Sequence, residues 1–430
     1  MRTSRIVRAA CAVAAPLLIT GAVIAQTGVA SAATSGGGSG HHRVLYVAPK
    51  AKSGASGQSC RSAKYRTIQS AVNAAPAGGT VVVCPGTYHE QVVVPKPLNL
   101  QGLRATIDQS GVTPGFKVTL PGFGQQVIFA AVIIVSSHVN FTGFTVRDAV
   151  GEGVLAAGLG AEISGVTIAR NSVVNNDLGS LPPGSNYFEC VAMGGVPGDC
   201  GEGVHFTGVA YSSITNNFIS GNSGGTLISD DTGPTHNNLI AGNVVTGNKS
   251  DCGITVPGHN PAALNAKGVR QPSVAGVYDN VIRGNVVTGN GVIGGGGAGV
   301  LFANAQAGTA SYDNLVEGNY IAGNGNSGVT MHAHTIAQGT FEDLNGNVIV
   351  GNAIGTNNIK GDQPDGPAGP SDTETTGVLV FSGGTTVRVR VAGNHIFDNT
   401  IGIWLSKPVK ATGLKTNHFT NVKIPVLANQ

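Results

Sequence analysis

A chain of 430 residues with 66 glycines, 5% aromatic and 11% charged side chains is composed like neither a helical bundle nor a disordered segment. Its 41% hydrophobic content suffices for a core, and no Gly-X-Y period marks a collagen-like rod. A net charge of +3 from scattered basic residues argues against a nucleic-acid partner.

Residues 1–32 read as a secretory signal. Arg2, Arg5 and Arg8 precede an apolar run from Ala9 to Ala25, and Ala30-Ser31-Ala32 has the small-x-small form of a cleavage site. No second apolar run is long enough to span a bilayer, so the expected protein is secreted, extracellular and free of the membrane. Residues 33–42 form a Gly/Ser-rich flexible linker and residues 43–430 the folded domain. Export permits disulfides. The pairs expected are Cys60–Cys84 and Cys190–Cys200, with Cys252 single and buried, although sequence does not settle connectivity.

Tyr65 to Ala75 has helical apolar spacing at Ile68, Ala71, Val72 and Ala75, closed by Pro76 and Gly78-Gly79. Strands follow at Thr80–Cys84, Gln91–Val94 and Leu98–Gly102, with a turn at Pro85-Gly86-Thr87-Tyr88. The run YRTIQSAVNAAPAGGTVVVCPGTYHEQVVVPKPLNLQG resembles the N-terminal cap and first coil of secreted right-handed parallel β-helix proteins. These form the pectate-lyase-like superfamily, with pectin esterases, pectate lyases and repeat proteins of the NosD type. The resemblance implies an all-β, single-stranded right-handed parallel β-helix with a short N-terminal capping helix. This cap precedes many chemistries.

After cap and first coils (residues 43–138), the chain repeats itself from residue 139 to 430. The marker is Asn-x4-Asn: Asn171/Asn176, Asn217/Asn222, Asn243/Asn248, Asn285/Asn290, Asn319/Asn324, Asn347/Asn352 and Asn394/Asn399. Each pair precedes a strand opening on Gly, at Gly203, Gly225, Gly253, Gly299, Gly328, Gly377 and Gly402. Each unit is one turn of a solenoid whose apolar face is buried only by stacking on its neighbours. Asn at the bends tolerates left-handed backbone, and stacked Asn side chains can bond from coil to coil. Extra residues at Asp177–Cys200, Pro261–Val277 and Gly361–Thr376 mark loops.

Superposing the coils on their opening Gly aligns Ser229-Asp230-Asp231, Pro257-Gly258-His259, Ala303-Asn304-Ala305 and His332-Ala333-His334. Strand alternation sends the second, fourth and sixth residues after that Gly outward. One exterior stripe then holds Asp231, His259, His332 and His334, with His205 one coil earlier. Stacking at about 4.8 Å makes Asp231 and His259 hydrogen-bonding neighbours. A carboxylate–imidazole pair can do general acid–base work, and the candidate catalytic residues are Asp230, Asp231, His259, His332 and His334. His205, Lys267, Arg270, Asn260 and Asn304 are candidate substrate contacts, the two cations suiting a uronate carboxylate or a developing enolate. Bland readings stand beside these: Asp230-Asp231-Thr232-Gly233 as a polar turn, His332 and His334 as a solvated pair, Glu152 and Glu202 as turn markers in Gly-Glu-Gly-Val.

Resemblance within the superfamily narrows by subtraction. Asp230-Asp231 and Gly258-His259 are similar to the Asp pair and Gly-His of polygalacturonases, but the Asn-Thr-Asp and Arg-Ile-Lys elements are missing. The sequence therefore supports a monomeric lyase or epimerase on an extracellular, uronate-containing polysaccharide, with His259 as base. One alternative is a glycoside hydrolase using Asp230 and Asp231. Another is a non-catalytic glycan-binding or metal-handling protein. No cofactor is certain from the sequence, and calcium is one the residues allow. Calcium on Asp230, Asp231 and Asn260, or a transition metal on Asp231, His236, His259, His332 and His334, are the metal options.

Overall fold

The computed structural model describes residues 44–52, 54–120, 124–176, 202–293, 296–304, 306–333, 341–361, 372–406 and 408–428. The signal, the linker, Cys190, Cys200 and His334 lie outside them. The described residues coil into a right-handed parallel β-helix whose successive turns pair strand to strand in register. One wall is an 11-stranded sheet in which each coil neighbours the next, including Glu152–Ala157, Glu202–Thr207, Gly224–Ser229, Ile254–Gly258, Val300–Asn304, Val329–Ala333 and Thr376–Ser382. Among the described residues no helix is long and apolar enough to cross a membrane.

Strand alternation sorts this wall. Val154, Val204, Thr226, Ile254, Val300, Val329 and Val378 form one register column, and its valines and Ile254 pack in the central core. The neighbouring column, Leu155, His205, Leu227, Thr255, Leu301, Thr330 and Leu379, faces outward, as expected from the period of two. That outer face is itself covered: Leu155, Leu227, Leu301 and Leu379 are at most 3% exposed. The stripe anticipated as an open surface is therefore a buried layer.

The capping helix runs over Ile68–Ala74, three residues shorter at its start than the apolar spacing suggests, because Thr67 caps it by accepting from Ser70 N. Glu90 accepts from the free Ile68 and Gln69 N–H groups at 2.7 and 2.9 Å, anchoring the cap to the first coil. Cys60 and Cys84 are bonded as expected. Cys252 is not single: it is fully buried and disulfide-bonded, its partner lying outside the described residues.

Asparagine ladders hold the bends, and among the described residues there are three rather than two. Asn171, Asn217, Asn243, Asn285, Asn319, Asn352, Asn394 and Asn417 form one. Asn176, Asn222, Asn248, Asn290, Asn324 and Asn357 are joined side chain to side chain in the second, where Asn357 N also bonds Asn399 Oδ1. The third links Asn238, Asn280, Asn314 and Asn347. The pair Asn347/Asn352 is thus displaced by one ladder, and the member matching Asn319/Asn324 is Asn352/Asn357. The left-handed backbone belongs to the residue before most ladder Asn, such as Gly242, Gly247, Gly284 and Asn216, not to the Asn itself.

Candidate functional site

The strand Gly224–Ser229 alternates Leu227 out, Ile228 in, Ser229 out, and the phase continues through Asp230 in and Asp231 out. The next coil breaks the ladder at this point. Pro257 has no amide hydrogen, and the last pair between the two strands is Leu227 with Thr255. The freed groups find side chains instead: Thr235 Oγ1 donates to Ser229 O at 2.6 Å, and His259 N and Asn260 N donate to Asp230 Oδ1 at 2.7 and 3.0 Å. Gly276 N, at the end of the 261–277 loop, donates to Asp230 Oδ2 at 2.8 Å.

Asp230 is therefore an anchor. It is fully buried with both oxygens taken by backbone N–H groups. Burial pushes its pKa up to about 6 against the pull of those hydrogen bonds. This overturns Asp230 as a catalytic acid or as half of a hydrolase pair.

Asp231 points the other way, and its Oδ1 lies 2.8 Å from His259 Nδ1. Their side chains are 12% and 11% exposed, which leaves a narrow opening to solvent. No hydrogen bond to His259 Nε2 is present among the described residues, so this nitrogen is free to meet a substrate. Burial would raise the Asp231 carboxyl, but the charge and hydrogen bond of His259, with help from His205 and Ser229, hold it down to about 2. Burial lowers His259 in turn, and Asp231 followed by Asp230 more than reverses this, leaving the imidazole above its ordinary value.

Behind this pair lies a second one that sequence reasoning missed. Ser229 Oγ donates to Asp231 Oδ2 and lies 2.8 Å from His205 Nε2. His205 Nδ1 is 2.6 Å from Glu152 Oε1, and both side chains are fully buried. The order carboxylate, imidazole, hydroxyl is that of a nucleophilic triad. Here the Ser229 proton is directed at Asp231 rather than at His205, and Ser229 is wholly buried. His205 is thus no surface contact, and Glu152 is more than a turn marker. The usable signal was Glu152 and His205 flanking the opening glycines of consecutive coils.

The remaining candidates separate. Arg270 is committed to Asp343 and Asp313 at 2.6 and 2.5 Å and lies over the Tyr312 ring at 3.7 Å, so it pins the 261–277 loop rather than meeting a substrate. Lys267 is exposed on that loop, its backbone N–H bound by Asn265. The Asn260 side chain caps the short turn Pro261–Ala263 by accepting from Ala262 N. Asn304 is fully buried in the register position of Gly258, so it is not a surface contact. His332 does face outward, two rungs from Pro257, yet it is 5% exposed and edge-on to Phe381 rather than solvated. Two rungs amount to about 10 Å.

Of the metal candidates, His334 lies outside the described residues. Asp230 has no oxygen left for calcium, and His236 bonds Glu162 and Asn237 on a different sheet. Among the described residues no group of three or more His, Cys, Asp or Glu is arranged to hold a metal.

Gly258 leaves His259 no slack. A Cβ there would lie 2.6 Å from Asn304 Oδ1 and 2.8 Å from Ala310 N. Gly258→Ala is expected to cost about 1–3 kcal/mol in chemical unfolding, the range for overpacking a filled site. An unchanged unfolding midpoint would contradict this packing.

A family model described as Protein of unknown function (DUF1565) matches residues 52–315, well over half of the chain. No curated protein matches it in sequence. Among solved structures, pectate lyase Pel9A is 16% identical with a TM-score of 0.48, covering 87% of this chain and 78% of its own. An alginate lyase from Paenibacillus sp. str. FPU-7 is 14% identical, TM-score 0.42, with coverage of 83% and 95%. The A-module of Azotobacter vinelandii mannuronan C-5 epimerase AlgE4 is 16% identical, TM-score 0.43, with coverage of 84% and 94%.

Proposed function

The chain belongs to the DUF1565 family, whose function is unknown, and from its own geometry we propose that it is a secreted polysaccharide-active enzyme, a lyase or epimerase of a uronate-containing glycan. The observation that carries this reading is the Asp231–His259 contact. It holds Nδ1 by a carboxylate and leaves Nε2 open at a partly exposed point of the layer. In neutral His259 the Nδ1 proton faces Asp231, so the lone pair resides on Nε2, aimed away from the carboxylate.

His259 Nε2 takes the C5 proton of a uronate unit, and charge spreads into the carboxylate as an enolate. Asp231 balances the imidazolium that forms. Expulsion of the C4 substituent, its oxygen taking a proton from the His259 imidazolium, then gives an unsaturated uronate and a broken chain, whereas a proton delivered from water to the opposite face inverts C5 and the imidazolium returns its own to solvent. Lys267 is the loop cation left to meet the substrate carboxylate, Arg270 being tied to Asp313 and Asp343.

The test is incubation of the purified protein with alginate, pectate and glycosaminoglycans. Ultraviolet absorbance of unsaturated uronate identifies a lyase, and an altered uronate composition without cleavage an epimerase. New reducing ends without that absorbance mean hydrolysis and sink the proposal. Inertness on the panel with glycan binding that persists in His259→Ala would leave a binding protein.

A further inference from the structure

Two carboxylate–imidazole pairs joined by one hydroxyl are more than His259 needs for orientation, and counting protons shows what the extra pair does. Asp231 is ionised and can only accept, so the single Ser229 proton is spent on it. Ser229 Oγ must then accept from His205, which places a hydrogen on Nε2. The other ring nitrogen faces Glu152 Oε1 at 2.6 Å and donates there when that carboxyl is ionised. With Glu152 ionised both nitrogens donate, which makes His205 an imidazolium, buried without exposure one hydroxyl away from Asp231.

We propose that Glu152, His205 and Ser229 are positioning residues for His259: a buried cation, held between Glu152 and Ser229, that offsets the negative charge of Asp231 and so keeps His259 able to accept a proton near neutrality. This rests on the assignment of His259 as the base. Two carboxylates face His259 from the preceding coil, Asp231 and Asp230, and alone they would hold its proton too firmly for it to act as a base. On the following coil the groups near it are Gln306 and Asn304, neither of them charged. Leu155 and Leu227 flank His205 in register and add no charge, and the further carboxyl on its own strand is the buried Glu202. His205 is thus the cation set against Asp230 and Asp231, and Glu152 is what keeps it protonated in a buried layer.

The experiment is a pH titration of the imidazole resonances in the full chain labelled with 15N-histidine, the His259 signal being assigned by its loss in His259→Gln. Removing the cation in His205→Gln is expected to move the His259 midpoint upward by roughly one unit. Ser229→Ala and Glu152→Gln are expected to move it in the same direction by less. A merely structural role predicts the opposite, because a loosened Asp231 contact would let the midpoint fall toward that of free histidine. A fall, or no movement, overturns the proposal. If His205→Gln does not fold, Ser229→Ala carries the test, since it deletes one oxygen and no charge. The readout needs no substrate, so inertness on the polysaccharide panel leaves it intact. Turnover with an unmoved midpoint would sink this inference and not the enzyme.

Discussion

His259→Gln is expected to lower turnover of the uronate polymer by roughly 10²–10⁴-fold with little change in binding, the range for a general base whose only job is proton transfer. Asp231→Asn should be similarly damaging for a different reason. An amide that donates to Nδ1 stabilises the tautomer with its proton on Nε2, which removes the lone pair from the side facing substrate. The pH profile follows from the shifts. Asp231, held at about 2, stays ionised throughout the working range. His259 is raised above its ordinary 6.5, so activity should climb as pH rises through that elevated value, and the acid limb should lie above 6.5.

Stability has the matching signs. The His259 contribution is complete below the imidazole's unfolded value and is lost as pH rises through the raised folded one. The Asp231 contribution is complete above the unfolded carboxylate value and is lost as pH falls toward about 2. Asp230, raised to about 6, opposes folding increasingly as pH climbs from the unfolded carboxylate value through about 6. Retention of full activity in His259→Gln, or an acid limb set in the carboxylate range, would remove His259 from the mechanism.

Asn285→Ala is expected to be strongly destabilising, although the residue lies outside the central core. Asn285 Oδ1 accepts from Asn243 N and Nδ2 at 2.9 and 3.0 Å, and its Nδ2 donates to Ile240 O and to Asn319 Oδ1. The side chain is 1% exposed, so water does not replace what it made. Alanine strands Asn243 N, one hydrogen of Asn243 Nδ2 and Ile240 O in a dry corner. At about 1–3 kcal/mol for each unsatisfied group, the loss should exceed about 3 kcal/mol in urea unfolding. Asn421→Ala provides the comparison. Asn421 is exposed, bonds Asp398 and has left-handed backbone that alanine tolerates less well, so its loss should stay at about 1 kcal/mol. Equal effects of the two substitutions would mean that the ladder carries no stability.

These expectations separate the parts of the molecule that were legible in the residues from those that were not. Two-residue alternation and a recurring opening Gly were enough to read a solenoid and to set Asp231 beside His259, because parallel coils in register translate a sequence offset directly into a contact. The same simplicity misassigned Asn347/Asn352. Where Asn recurs every fifth residue through three bends, as in Asn347, Asn352 and Asn357, spacing alone cannot say which bend is which.

The chemistry of the individual side chains lay further out of reach. Asp230 and Asp231 are adjacent and look equivalent as letters, yet strand phase turns one inward to three backbone donors and the other outward to an imidazole. Arg270 reads as a free cation until Asp313 and Asp343, 43 and 73 residues later, close around it. Glu152, His205 and Ser229 come from three separate coils and carry no common motif. The sequence by itself determined the repeat, the wall and the column in which the site falls, since these depend on periodicity. Which polar groups in that column face water, backbone or one another was decided only by tertiary structure, since burial and partner choice depend on every coil stacked around them.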